Sequence, residues 1–227
     1  MHLQRRAFVT IRVAHTGEAS SEYWLSGLHP DSPPSTTASN AANRLLVSAR
    51  DAFSTNGYRG TTTREIAAGA GMSPAAMYIH YSSKQEMLLK LCLLGHRACY
   101  ESLLDAASVE GGPRQKLRSA VYDFTRWHAQ SHVVGRIVQY ELRFLDPDNF
   151  DLVADVRRSI HATVEDIVRD GARTGDFAVG SIPATTLAIL SLSIDAVRWF
   201  PSHAVSDPEE LASQHVFLVD RMVSATR

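Results

Sequence analysis

Tyr78, His80 and Lys84 stand two and four residues apart in the stretch TTTREIAAGAGMSPAAMYIHYSSKQEML, which runs from Thr61 to Leu88. A phenol, an imidazole and an ammonium are groups that meet anions. The same stretch adds backbone donors, because Ser73 and Ser83 each open a helix whose first N–H groups have no partner within it. A second constellation is His128 and His132, four apart, which puts two imidazoles on one helix face where they can clamp a metal. No acid stands near them to complete an H-E-x-x-H pattern, and the other histidines are scattered. There is no phosphate-binding glycine loop, nucleophile elbow or paired-cysteine metal site. A metal-dependent enzyme using His128 and His132 is kept as a contrasting reading; no catalytic residue, metal site or cofactor is assigned.

The bulk properties narrow the classes. The 227 residues allow one large domain or two small ones, with 44% hydrophobic and 21% charged residues. No apolar run approaches the roughly 18 residues that span a bilayer. The N-terminal AFVTIRVAH is short, is broken by Arg12 and lacks a following small-residue cleavage site, so a cytoplasmic protein is expected. Cys92 and Cys99, seven apart on a helical pattern, are too distant for an easy disulfide and read as reduced core residues. Residues 41–90 hold six Lys/Arg against three Asp/Glu, a net +3, whereas residues 91–227 hold fourteen against eighteen, a net -4. A mildly basic head on an acidic body is compatible with nucleic-acid binding joined to sensing.

The elements that must position these groups are helical. Residues 1–38, with a small Tyr23-Trp24-Leu25 island and most of the Pro/Ser/Thr-rich stretch HPDSPPSTTASN (29–40), read as a disordered extension. From Ser39 onward, Leu45, Leu46, Ala49 and Phe53 mark one buried face, and Asn56-Gly57 predicts its end. Thr62-x-x-Glu65 is a capping box with Ile66 as the apolar anchor, and Gly69-Ala70-Gly71 stops that helix. Ser73-Pro74 opens the next, expected to run to about Tyr81. Ser83-x-x-Glu86 is a second capping box before a long helix through Met87, Leu88, Leu91 and Leu94. After Gly111-Gly112-Pro113, helices are predicted near 114–130, 133–145, 149–173, 182–200 and 207–225. The expected fold is all-α, with an N-terminal three-helix helix-turn-helix domain over 39–84 and a helical bundle for ligand binding and dimerisation over 85–227.

Two short helices joined through a glycine turn match a helix-turn-helix, whose second helix lies in the DNA major groove. The residue types suit that task. Ala67 is small where the helices meet, Gly71 supplies the turn, and Met72 and Met77 face the core. Ala75 and Ala76 permit close approach to base edges, including thymine methyls. Over about residues 41–90 the chain resembles the DNA-binding domain of TetR-family transcriptional regulators. The resemblance rests on Thr-Thr before the first short helix, Ala-Gly-x-Ser in the turn, a Tyr-x-His-aromatic pair and a Ser-Lys opening the fourth helix, with Gly171-x-x-x-Gly175-Asp176-Phe177 later.

That resemblance implies a double-stranded DNA operator as partner and repression as the default. It implies that Thr63 and Tyr78 hydrogen-bond phosphates, that Lys84 adds charge and a helix-start amide, and that Arg64 reaches the backbone or a guanine. Ser73, Pro74, Ala75 and Ala76 would line the groove, and His80 would contact a phosphate. Arg64 as a mere helix cover and His80 as a packed histidine remain the alternatives, while Tyr78 is read as a buried phenol that wants a partner. Residues 74–81 contain no Lys or Arg, so readout is expected to lean on fit, van der Waals contacts and DNA shape.

For the body, the resemblance implies a homodimer through the last two helices. The apolar residues of 182–200, from Leu187 to Trp199, run almost all round that helix, as two-sided burial requires. Phe124, Trp127, His128, Tyr140, Phe144 and Trp199 could enclose a small-molecule effector, with Arg143, His161 and Arg198 as polar anchors; core packing is the alternative for each aromatic. Asp195 and Arg198 share a helix face. An apolar pocket with an arginine at its mouth suits a lipid or acyl thioester, and WHAQSHVVGRIVQYELRFL followed by DAVRWF resembles TetR-type regulators of lipid or steroid catabolism. A helical protein-interaction module with no ligand is the remaining reading, distinguished by a body without a cavity.

Overall fold

The computed structural model describes residues 41–224, and every regular element among them is helical. The expected N-terminal extension lies outside the described residues. Helix α1, Ala41–Gly60, turns Leu45, Leu46, Ala49 and Phe53 inward. Its backbone breaks at Gly57 (φ 68°, ψ 168°), so the chain kinks where an end was expected and then adds a short turn. Helix α2, Thr63–Gly69, starts at the expected capping box: Thr62 Oγ1 accepts from the Glu65 N–H at 3.2 Å and the Glu65 carboxylate accepts from the Thr62 N–H at 2.7 Å. Gly71 makes the following turn at φ 68°, in the left-handed region that side chains disfavour.

Helix α3, Pro74–Met77, is capped by Ser73 and stops at Met77, earlier than expected, with residues 78–80 continuing as a turn. Helix α4, Lys84–Ala107, is capped by Ser83, which accepts from the Glu86 N–H at 3.1 Å. The reciprocal arm differs from a capping box. The Glu86 carboxylate turns to Ser82, which offers two donors, its N–H and its hydroxyl, each at 2.7 Å.

The body comprises α5 (Pro113–Gln130), α6 (His132–Tyr140), a 3-10 turn (Leu142–Phe144), α7 (Pro147–Thr174), α8 (Ile182–Ile194), α9 (Ala196–Trp199) and α10 (Pro208–Val223). Two predicted helices are thus divided, one at Glu141 and one at Asp195. No helix among the described residues is long and apolar enough to cross a membrane. Cys92 and Cys99 are buried and free.

Head and body share a core. Leu45, Phe53, Ile66 and Met77 of the head join Met87, Leu88 and Leu91 of α4, then Ile137, Leu142 and Val153 of the body in one apolar cluster. A boundary at residue 84 therefore falls where α4 begins, while the first turns of α4 still complete the core of the head. A second cluster, with Leu103, Leu117, Phe124, Val164, Val168 and Val219, ties α4, α5, α7 and α10 together. The expected Gly171–Phe177 motif closes α7. A Cβ at Gly171 would lie 2.0 Å from the Phe177 ring, so only glycine lets that ring pack against the helix.

Candidate nucleic-acid interface and ligand cavity

Ile66, Ala67, Met77 and Tyr81 are buried and hold α2 and α3 from beneath. Above them Arg64, Ser73, Pro74, Ala75, Tyr78 and His80 are exposed, and Thr63 and Ala76 are half-buried. Six of the nine expected DNA-facing residues are therefore exposed, and none of the nine is buried. Tyr78 is 53% exposed, not buried as its phenol was read, and is open to a partner from outside. The buried tyrosine is Tyr81, whose hydroxyl is pushed up to about 12 first by burial and then by Glu86. Ile79 is 80% exposed and was not singled out as a site residue in the sequence. Its signal was the shortness of a helix that can bury Met77 but not Ile79 as well.

Lys84 is the ninth. Its ammonium donates to the carbonyls of Tyr58 and Thr61, at 2.6 Å each, and sits 4.3 Å from the centre of the Tyr58 ring. The charge expected to serve DNA is thus committed inside the protein, where it ties the end of α1 to the start of α4. Desolvation lowers its pKa, and the nearby Glu65 opposes that shift.

Head and body meet at a polar and aromatic seam. Glu141 accepts the Tyr58 N–H at 3.1 Å. The Tyr58 ring stacks on Phe144 with centroids 5.5 Å apart, and Arg59 and Arg143 each lie 4.9 Å from that Phe144 ring centre. Gln85 donates to the Phe144 carbonyl at 3.3 Å. Arg143 and Phe144, expected around a ligand, belong to this seam, because the chain turns at Glu141 and carries them away from α6.

A cavity of about 400 Å³, open to solvent, lies between α4, α5, α6, α7 and α8. Of the expected ligand residues, Phe124, Trp127, His128, Tyr140 and His161 line it. Arg198 instead forms a two-pronged pair with Asp195, with both contacts at 3.0 Å, and Trp199 packs beside Phe200 and Leu211. The sequence reading missed His96, Gln139 and Arg157, which line the same space. Arg157 stands in an Arg-Arg pair on a charged helix, which resembles a solvated face. Its position i, i+4 to His161 was the available clue.

His96 and His128 each place Nδ1 on the carbonyl four residues back, at 2.8 and 2.7 Å. Burial, the dominant cause, pushes both down to about 4, so both rings are neutral at pH 7. His132 bonds the Ala129 carbonyl and packs against Phe200, so His128 and His132 serve different surroundings. No group of three metal-ligating side chains gathers among the described residues.

The comparisons with known proteins agree with this geometry. A model of the tetR family of bacterial regulatory proteins matches residues 45–91, and one of the tetracyclin repressor-like C-terminal domain matches residues 110–223. The chain is 25% identical over 200 residues to the HTH-type transcriptional repressor KstR2 of Mycolicibacterium smegmatis (strain ATCC 700084 / mc(2)155), covering 84% of this chain and 93% of that protein. A bacterial regulatory protein in the tetR family from Rhodococcus RHA1 superposes with a TM-score of 0.79 at 41% identity, covering 83% of this chain and 99% of that one. AibR, solved in complex with isovaleryl coenzyme A and operator DNA, shares the fold, with a TM-score of 0.70 at 19% identity over 77% of this chain and 95% of that one. The chain belongs to the tetR family of bacterial regulatory proteins, DNA-binding transcription regulators and not enzymes.

Proposed function

We propose that this protein is a dimeric, ligand-responsive repressor, acting in the cytoplasm, that binds a palindromic operator and is released by a small hydrophobic effector of the lipid or acyl-CoA class. The observation that carries this reading is the cavity of about 400 Å³ whose α6 wall, Val138, Gln139 and Tyr140, runs directly into Glu141 at the head–body seam. A ligand there acts on α6, which like α4 both lines the cavity and contacts the head. The names of relatives support the class: one is a repressor, and another was solved with an acyl-coenzyme A and with operator DNA.

In this reading α3 lies in the major groove. Ser73, Pro74, Ala75 and Ala76 follow the groove wall, and Thr63, Tyr78 and His80 meet phosphates, with Arg64 on the backbone or a guanine. The exposed Ile79 supplies an apolar contact suited to a thymine methyl. Two heads must be about 34 Å apart to reach successive half-sites. The exposed Leu187 of α8 and Phe217, Leu218 and Met222 of α10 form the apolar face through which two copies pair. An effector releases DNA only by binding the released state more tightly than the bound one.

The test is fluorescence anisotropy on the DNA flanking the protein's own gene, titrated with decanoate and with decanoyl-CoA. Release of the bound DNA by either supports the reading. Binding that neither alters argues against a lipid-class effector.

A further inference from the structure

Resting on the reading of the cavity as an effector site, we propose that it takes an amphipathic anion whose carboxylate is held by Arg157. Arg157 lines the cavity, and among the described residues its guanidinium has one hydrogen-bond partner, the neutral side-chain oxygen of Gln139 at 3.3 Å. No carboxylate pairs with it there. The contrast with its neighbours is direct: Arg158 is paired with Asp155, Arg169 with Glu165 and Asp166, and Arg118 with Asp220. A partly desolvated guanidinium with no counter-ion is costly, and burial lowers the pKa of Arg157 accordingly. An anion entering the cavity relieves that cost through a fork of two charged hydrogen bonds.

The rest of the lining leaves this charge uncompensated. His96 and His128 are neutral, as shown above. Burial holds the Cys99 thiol protonated. Asp195 is engaged by Arg198, and His161 lies 3.5 Å from Glu165. The walls at Phe124, Trp127, Ile160 and Leu190 are apolar and take the body of the ligand. At about 400 Å³ the space is near the small end for ligand pockets, roughly 300–1,000 Å³, and suits an alkyl chain or compact ring system. The nucleotide of a thioester would have to lie outside.

The position of Arg157 also links the anchor to the head. A carboxylate on its guanidinium competes with Gln139, which stands on α6 two residues before Glu141, the acceptor for the Tyr58 N–H. Ligand charge is thereby read by a helix that contacts the DNA-binding unit.

Calorimetric titration below the micelle concentration tests the anchor, using decanoate, methyl decanoate, decylamine and decanoyl-CoA as probes. Wild-type protein should bind decanoate about tenfold more tightly than the ester or the amine. Arg157→Gln should erase that preference, and Arg157→Lys should keep part of it. Equal affinity for decanoate and its ester, a preference unchanged in Arg157→Gln, binding of decanoyl-CoA alone, or binding of none of the probes each overturns the proposal. Should Arg157→Gln fail to fold, the wild-type ranking of the probes decides. Operator release is measured separately: selective decanoate binding without release keeps the anchor and removes the regulatory reading, whereas ester and acid releasing DNA equally does the reverse.

Discussion

At the scale of single residues, the two helix caps at Thr62 and Ser73 were legible because capping is a local bargain between a side chain and the backbone within three residues. Lys84 was not, because its partners, Tyr58 and Thr61, are more than twenty residues away and are carbonyls, which no sequence pattern marks. Lys84→Met should therefore act first on folding, lowering stability by about 1.5–3 kcal/mol for its charged hydrogen bonds, as read by chemical denaturation. Unchanged stability with weaker DNA binding would return Lys84 to the phosphate role. Tyr78→Phe should do the opposite: operator affinity falls by about tenfold, ~1.4 kcal/mol, while the melting temperature holds. Equal affinity at matched salt would remove Tyr78 as a phosphate contact. The buried histidines predict a pH response. The unfolded chain takes up their protons near 6.5 and the folded protein near 4, so stability is complete above pH 6.5 and declines as pH falls toward 4. Each contributes on the order of 3 kcal/mol to that decline. After burial, the charge of Arg157 disfavours protonation of His96, and a proton on His96 disfavours protonation of His128. Melting temperatures recorded from pH 7.5 to 4 should fall more steeply in wild type than in a His96→Gln, His128→Gln double variant; parallel curves would contradict the burial argument.

At the scale of elements, helix identity followed from periodicity, so the order of the long helices among the described residues was readable. The breaks at Glu141 and Asp195 were hidden, since no Gly or Pro stands within five residues of either. The first break matters most. It turns Phe144 and Arg143 from the cavity to the head and sets the cavity wall of α6, ending at Tyr140, directly beside Glu141, which holds Tyr58. Glu141→Ala should leave ligand affinity within about twofold yet reduce the ligand's effect on operator affinity by about fivefold, ~1 kcal/mol. Operator dissociation constants with and without saturating decanoate measure this directly. An undiminished effect would mean that coupling runs through the shared core instead.

At the scale of the molecule, the basic head and acidic body were visible in the charge distribution, and the helix-turn-helix in its residue types. The cavity was only half legible. Its aromatic walls, Phe124 and Trp127, stand out at helical spacing, whereas its ionic floor depends on how α4, α6 and α7 converge. The exposed apolar residues of α10 give the proposed dimer its own prediction. Phe217 is 65% exposed, and Phe217→Glu should weaken dimerisation by at least about 30-fold, ~2 kcal/mol, in sedimentation equilibrium. A dimer as tight as wild type would place the partner elsewhere. The central claim is that the head reads DNA. Its most direct test is fluorescence anisotropy with DNA flanking the protein's own gene against a scrambled duplex, across a salt series. The account predicts tight, selective binding to the flanking DNA that weakens steeply as salt rises. Equal, weak binding to both duplexes would contradict it.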